Sequence, residues 1–105
     1  MVACYGASMR IIALSTLRTF WTAHPAAETA LRAWYALASR VNWKTPADIK
    51  AAYRNASFTR NNKVVFNIKG NDYRLVVAVR YDQELIYIRF VGTHRQYDAI
   101  DVETI

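Results

Sequence analysis

Four side chains suited to moving protons or holding charge crowd into five consecutive positions: His94, Arg95, Tyr97 and Asp98. Histidine changes charge near neutral pH, and a tyrosine hydroxyl gives up its proton more readily beside cations. Just upstream, Arg89 lies in the alternating run Ile86-Tyr87-Ile88-Arg89-Phe90, and two earlier runs of the same kind carry Lys63, Asn67, Arg74 and Arg80. Together these groups suit cleavage of an RNA phosphodiester by its own 2′-hydroxyl. That reaction needs an acceptor for the hydroxyl proton, a donor for the leaving 5′-oxygen, and cations for the charge that grows on phosphate. It requires no metal. A polar surface turn without chemistry would carry the same His-to-Asp string, and a solvated basic face would carry the same cations.

Other chemistries find few residues to work with. Cys4 is the only cysteine, so neither an internal disulfide nor a cysteine-based zinc site can form. His24 and His94 lack the company of metal ligands, and His24, directly before Pro25, reads as a helix-start residue. No metal and no cofactor is expected. Three glycines, Gly6, Gly70 and Gly92, cannot spell a phosphate loop or a dinucleotide fingerprint. Ser15 and Ser39 have no histidine and acid arranged to activate them, and Trp21, Trp34 and Trp43 recur at helical spacings that suit a core.

The elements that must position the reactive groups read as follows. Ile11 to Leu14 is a short strand, and Ser15 caps a helix running through Ala23. Pro25 opens a second helix whose apolar positions Ala27, Leu31, Trp34, Ala38 and Val41 recur at steps of three and four, with Asn42 as its stop. These two helices form a hairpin. Thr45-Pro46-Ala47-Asp48 resembles a capping box that starts a short helix to about Tyr53. From Ser57 the period changes to two: strands at Lys63 to Ile68, Tyr73 to Tyr81 and Ile86 to Val91, joined by turns at 69–72 and 82–85. The fold class is α+β, a short N-terminal strand and a two-helix hairpin packed on one face of a twisted antiparallel sheet. Residues 1–8 are expected to be an extension outside the fold, and residues 9–105 a single domain.

Turn positions set the registers. A first turn centred on Gly70-Asn71 puts Asn67 opposite Arg74 and Lys63 opposite Ala78. A second centred on Gln83-Glu84 puts Ala78 opposite Arg89, Arg80 opposite Tyr87 and Arg74 opposite Thr93. Lys63, Asn67, Arg74, Arg80, Tyr87 and Arg89 then project from one face, while Val64, Phe66, Ile68, Leu75, Val77, Val79, Ile86, Ile88 and Phe90 collect on the other. The apolar face takes the helices and leaves the cations exposed.

Charge supports an anionic partner. The 105 residues hold 14 Lys and Arg against 8 Asp and Glu, and residues 40–80 alone carry +7 while residues 81–105 carry −3. Ten of the cations are arginine, whose planar fork fits phosphate. With 53% hydrophobic residues and 13% aromatics the chain is neither a disordered tail nor a linker. No apolar run approaches the roughly 20 residues of a membrane span, so a cytoplasmic protein away from the membrane is expected.

The run Asn62-Lys63-Val64-Val65-Phe66-Asn67-Ile68-Lys69-Gly70-Asn71-Asp72-Tyr73-Arg74-Leu75, followed by Ile86 to His94 and by Tyr97-Asp98, resembles the HigB family of type II toxins, similar in fold to the RelE superfamily of mRNA interferases. The resemblance covers residues 9 to 101. It implies an endoribonuclease that cleaves mRNA on translating ribosomes and is silenced by a HigA-type helix-turn-helix antitoxin. By matching position, Lys63, Arg74 and Arg89 correspond to phosphate-binding cations, and His94 and Tyr97 to acid-base groups. The expected catalytic set is Arg74, Arg89, His94 and Tyr97, with Lys63, Asn67, Arg80 and Arg95 holding RNA. In the family pattern an acid directly precedes the tyrosine; this chain has Gln96 there. A non-catalytic RNA- or ribosome-binding module using the same cations is the alternative, and a protein-binding basic face a further one.

Overall fold

The computed structural model describes residues 9–105; the extension expected at residues 1–8 lies outside the described residues. Strand β1 (Arg10–Ile12) leads into α1 (Leu14–Ala23), and a 3-10 turn (Pro25–Ala27) leads into α2 (Glu28–Ala38). Helix α3 (Pro46–Ala52), strands β2 (Ser57–Phe58), β3 (Lys63–Ile68), β4 (Tyr73–Arg80) and β5 (Leu85–Thr93), and a last helix α4 (His94–Asp98) follow. The sheet order is β1-β5-β4-β3-β2. The α+β class stands, with one addition: β1 runs parallel to β5, so the sheet is mixed.

The apolar stripes expected from the sequence meet in one core. Leu17 and Trp21 of α1, Ala27, and Leu31, Trp34 and Ala38 of α2 are buried together with Val64, Phe66, Leu75, Val77, Val79, Ile86 and Ile88 of the sheet. Phe66 is its aromatic centre, edge-on to Trp34 at 5.5 Å and to Tyr53 at 5.1 Å, and stacked on Trp43 at 6.2 Å. Burying side chains of this size stabilises the fold by about 1.5–3 kcal/mol each. The Thr45–Asp48 capping box forms in full: the Asp48 amide donates to the Thr45 hydroxyl, and the Thr45 amide to the Asp48 carboxylate.

Helix ends differ from expectation in three places, the first being α2, which begins at Glu28 because Pro25–Ala27 forms a separate 3-10 turn. Ser15 is not the cap of α1; Ala13, at φ 78, swings the chain from β1 into Leu14 without an extended capping residue, and the Thr16 amide closes the turn on the Ala13 carbonyl. Nor does Asn42 stop α2, which ends at Ala38 with Ser39 as its cap. The Asn42 side chain instead donates to the Glu84 carboxylate at 2.7 Å, and the Glu84 carbonyl accepts the Arg10 amide at 2.9 Å. A single residue of the β4–β5 turn therefore ties down both β1 and the segment after α2.

Candidate functional site

The first hairpin has the expected register: Asn67 pairs with Arg74 and Lys63 with Ala78. The second does not. Its turn is a 3-10 turn (Tyr81–Gln83) closed by Glu84 at φ 58, one residue earlier than expected, so Arg80 pairs with Leu85 and Ala78 with Tyr87. A shift of two leaves each side chain on its expected face. Between Val76 and Val77, however, the ladder slips by one: Val77 pairs with Ile88 but Val76 with Phe90, which leaves Arg89 in a β-bulge. Beyond the bulge every face is exchanged. Phe90 leaves the helix-covered face for the cationic one, Gly92 and not Thr93 lies opposite Arg74, and Val91 turns toward the core.

The face away from the helices is thus organised in rows. Asn67, Arg74 and Gly92 form the first, Val65, Val76 and Phe90 the second, Lys63, Ala78 and Tyr87 the third, with Arg80 and Leu85 at the far end. Successive rows stand about 7 Å apart, so Arg80 is about 20 Å along the strand from Arg74. Arg89, exposed in its bulge, holds its guanidinium 5.9 Å from the Tyr87 ring and joins the third row.

Arg74 and Lys63 are not the water-exposed cations that strand alternation predicts; they retain 9% and 7% of their accessible surface. Arg74 donates from Nη1 to the carbonyls of Asn71 and Tyr73 at 3.1 and 3.2 Å, and from Nη2 to Asn71 Oδ1 at 3.1 Å. No carboxylate stands among these partners, so its positive charge is not neutralised by them. Lys63 Nζ donates to the Glu103 carbonyl at 3.1 Å. Arg80 and Arg95 are exposed, and Asn67 is half-buried.

The string His94-Arg95-Gln96-Tyr97-Asp98 is a helix and not a turn. Thr93 and Gln96 build a second capping box, with the Gln96 amide donating to the Thr93 hydroxyl at 3.1 Å and the Thr93 amide to Gln96 Oε1 at 2.8 Å. Thr-x-x-Gln is the sequence signal that identifies this start. Gln96 reaches its partner across Gly92, where a Cβ would meet Gln96 Oε1 at 2.8 Å and Phe90 Cζ at 2.6 Å. The His94 amide donates to the Asp72 carbonyl at 3.0 Å and ties α4 to the first hairpin's turn.

From this anchored helix the Tyr97 ring stands 5.9 Å from the Arg74 guanidinium. One turn away, His94 Nε2 lies 3.5 Å from Asp98 Oδ1. Asp98 enters the site only because the string is helical, since residues four apart share a face. Arg74, Asn67, Tyr97 and His94 thus gather at one end of the sheet, Lys63 and Arg89 flank the middle, and Arg80 stands apart. A phenol against a guanidinium and an imidazole against a carboxylate can accept and return protons beside a bound anion.

Comparison with known proteins places the chain in a family. The chain is 29% identical over 92 residues to the mRNA interferase toxin HigB of Escherichia coli (strain K12), covering 86% of this chain and 88% of that protein. The mRNA interferase HigB of Escherichia coli O6:H1 is 22% identical over 94 residues, 88% of this chain and 91% of the relative. The family model described as HigB_toxin, RelE-like toxic component of a toxin-antitoxin system, matches residues 27–100. This chain therefore belongs to the HigB toxin family, as the toxic component of a toxin-antitoxin system with an antitoxin as its partner.

Proposed function

We propose that this toxin is an endoribonuclease that cleaves mRNA without a metal ion, acting on translating ribosomes in the cytoplasm and silenced by a HigA-type helix-turn-helix antitoxin. Its relatives are named mRNA interferases. The observation that carries the reading is the pairing of Tyr97 with Arg74 at 5.9 Å on the same short helix that holds His94 beside Asp98. Arg74 holds the scissile phosphate beside Tyr97, Arg89, two rows away, holds a neighbouring phosphate of the same strand, and Lys63, Asn67, Arg80 and Arg95 hold the flanks. The 2′-oxygen attacks the adjacent phosphorus and loses its proton to a side chain; the P–O5′ bond breaks, and the leaving oxygen takes a proton from the second side chain. The products are a 2′,3′-cyclic phosphate and a 5′-hydroxyl.

His94 is assigned as one proton-transfer group and Tyr97 as the other. Asp98 stands within reach of the imidazole and orients it, and the Arg74 guanidinium fixes the Tyr97 ring beside the phosphate. Among the described residues no three of His, Cys, Asp and Glu cluster as metal ligands. Expression in bacteria with and without the antitoxin, with mapping of mRNA 5′ ends, tests the activity. New 5′-hydroxyl ends are expected, and cleavage by the purified toxin on ribosomes is expected to persist when EDTA is added after its magnesium requirement has been met with a substitution-inert cation. Growth arrest without new ends would leave the non-catalytic binding module.

A further inference from the structure

The face that carries the cations is already covered in part by the chain itself. Val65 and Val76 retain 4% and 0% of their surface, yet α1 to α3 lie on the other side of the sheet and neither valine belongs to the main core. Two anchors show what crosses them. At one end Tyr97 sits over Arg74, in the first row. At the other, Asn61 Nδ2 and Lys63 Nζ both donate to the carbonyl of Glu103, at 2.8 and 3.1 Å, beside the third row. The residues between these anchors must pass over the second row, which is Val65, Val76 and Phe90. Ile100 and Val102, which lie between the two anchors in the chain, are half-buried and alternate with the exposed Asp101.

We infer that Ile100–Ile105 is a strap closed over the middle of the RNA face, and that RNA must displace it to reach Lys63. The inference rests on the RNA reading above and adds a regulation to it. Closure leaves the Lys63 ammonium buried against a carbonyl with no carboxylate among the described residues within ion-pairing distance, so a phosphate is the better partner once the strap lifts. Asp101 and Glu103 add two exposed carboxylates to this segment, and their charge opposes the approach of RNA. Little holds the strap shut. It folds on itself through the Asp101 carboxylate and carbonyl, which accept from the Glu103 amide and from Thr104, and it is tied to the rest of the chain by the Asn61 and Lys63 donors, with Ile100, Val102 and Ile105 only half-buried. Segments with so few anchors open at low free-energy cost. The affinity of the intact chain is its open-state affinity reduced by the open fraction.

A chain ending at Ala99, the intact chain and the Asn61→Ala variant are to be titrated with a short single-stranded RNA carrying 2′-O-methyl groups, which is bound but not cleaved. The shortened chain is expected to bind about tenfold tighter, and Asn61→Ala about two- to threefold tighter. Lys63→Ala is expected to weaken binding more in the shortened chain than in the intact one, because only there is the ammonium free. A shortened chain that unfolds cooperatively like the parent but binds no tighter would overturn the strap and leave the RNA reading standing. Should the shortened chain fail to fold, Asn61→Ala decides: an unchanged Kd overturns the strap and a lower Kd supports it. Absence of binding in every variant would overturn the RNA reading and the strap with it.

Discussion

In the β3–β4 hairpin a four-residue turn places Lys69 at φ 53 and Gly70 at φ 65, and the ladder runs unbroken from Ile68↔Tyr73 to Lys63↔Ala78. The β4–β5 hairpin turns through Tyr81–Gln83 and Glu84, then slips by one residue at Arg89. Regular pairing aligns Val64, Phe66, Leu75 and Val77 under the helices. Irregular pairing arranges the candidate site: the bulge exposes Arg89, moves Phe90 to the cationic face, and sets Gly92 where Gln96 can cross it to cap the helix of His94 and Tyr97. The lesson is that one hairpin builds the core while the other, by one extra residue, re-aims side chains into a site.

The sharpest way to break this contrast is to remove one arginine from each hairpin. Arg74→Ala deletes a buried guanidinium with three hydrogen bonds to the first hairpin's turn, so it is expected to lower stability by about 1–3 kcal/mol and cleavage by at least about 100-fold. Arg89→Ala removes an exposed side chain from the bulge, so it is expected to lower cleavage by a similar factor while stability moves by no more than about 0.5 kcal/mol. Urea unfolding beside cleavage rates gives both numbers. Equal destabilisation by the two variants would mean that the bulge, too, is structural.

Comparable on cleavage, but without the loss of stability that Arg74→Ala brings, are the effects of the two groups on α4. Tyr97→Phe and His94→Gln are each expected to slow cleavage by about 100- to 10,000-fold with little effect on unfolding, because general acid-base groups contribute at that scale. Single-turnover cleavage measured against pH separates their roles. Loss of the low-pH limb in one variant and of the high-pH limb in the other assigns base and acid. If His94→Gln keeps the parent rate while Tyr97→Phe is inactive, both proton transfers pass to the tyrosine end of the helix.

What the sequence made legible follows the same division. Periodicity and turn residues were enough for β3, for the register of the first hairpin, for the Thr45 capping box and for the core faces of β3 and β4, because these depend on contacts within one hairpin or one helix start. Ala13 in a left-handed conformation and Asn42 bound to Glu84 depend on β1 pairing with β5 about 75 residues later, a constraint no local pattern carries. A bulge carries no period of its own; alternation through Ile86, Ile88 and Phe90 reads as one continuous face although the slip divides it. The burial of Lys63 and Arg74 depends on residues 97–103 folding back, so charge alone places them wrongly in water. Helix α4 is the exception, because Thr93-x-x-Gln96 spells its start.

A smaller effect is expected from a methyl group. Gly92→Ala places a Cβ against Phe90 Cζ and Gln96 Oε1, at 2.6 and 2.8 Å in the unshifted structure. Either the ring or the cap must move, at an expected cost of about 1–3 kcal/mol. Cleavage is expected to fall by about tenfold as α4 loses its cap. Gly70→Ala, in the first hairpin, meets open space but keeps φ at +65, so it is expected to lower stability by about 1 kcal/mol and leave cleavage unchanged. Reversal of that order would place the sensitive backbone in the regular hairpin.

The smallest change concerns Gln96, which stands where the family pattern has an acid. Its Oε1 accepts the Thr93 amide at 2.8 Å, a bond that a carboxylate makes equally well. Gln96→Ala is expected to cost about 1 kcal/mol of stability and about fivefold in kcat, through fraying of α4, with the shape of the pH profile unchanged because no titrating group is lost. Gln96→Glu restores the cap and is expected to stay within about twofold of the parent. If Gln96→Glu instead raises kcat well beyond that and adds a new limb to the pH profile, the position takes part in proton transfer whenever it carries an acid. The capping box would then be a second use of that position, and α4 would add a third acid-base position to the two proposed for His94 and Tyr97.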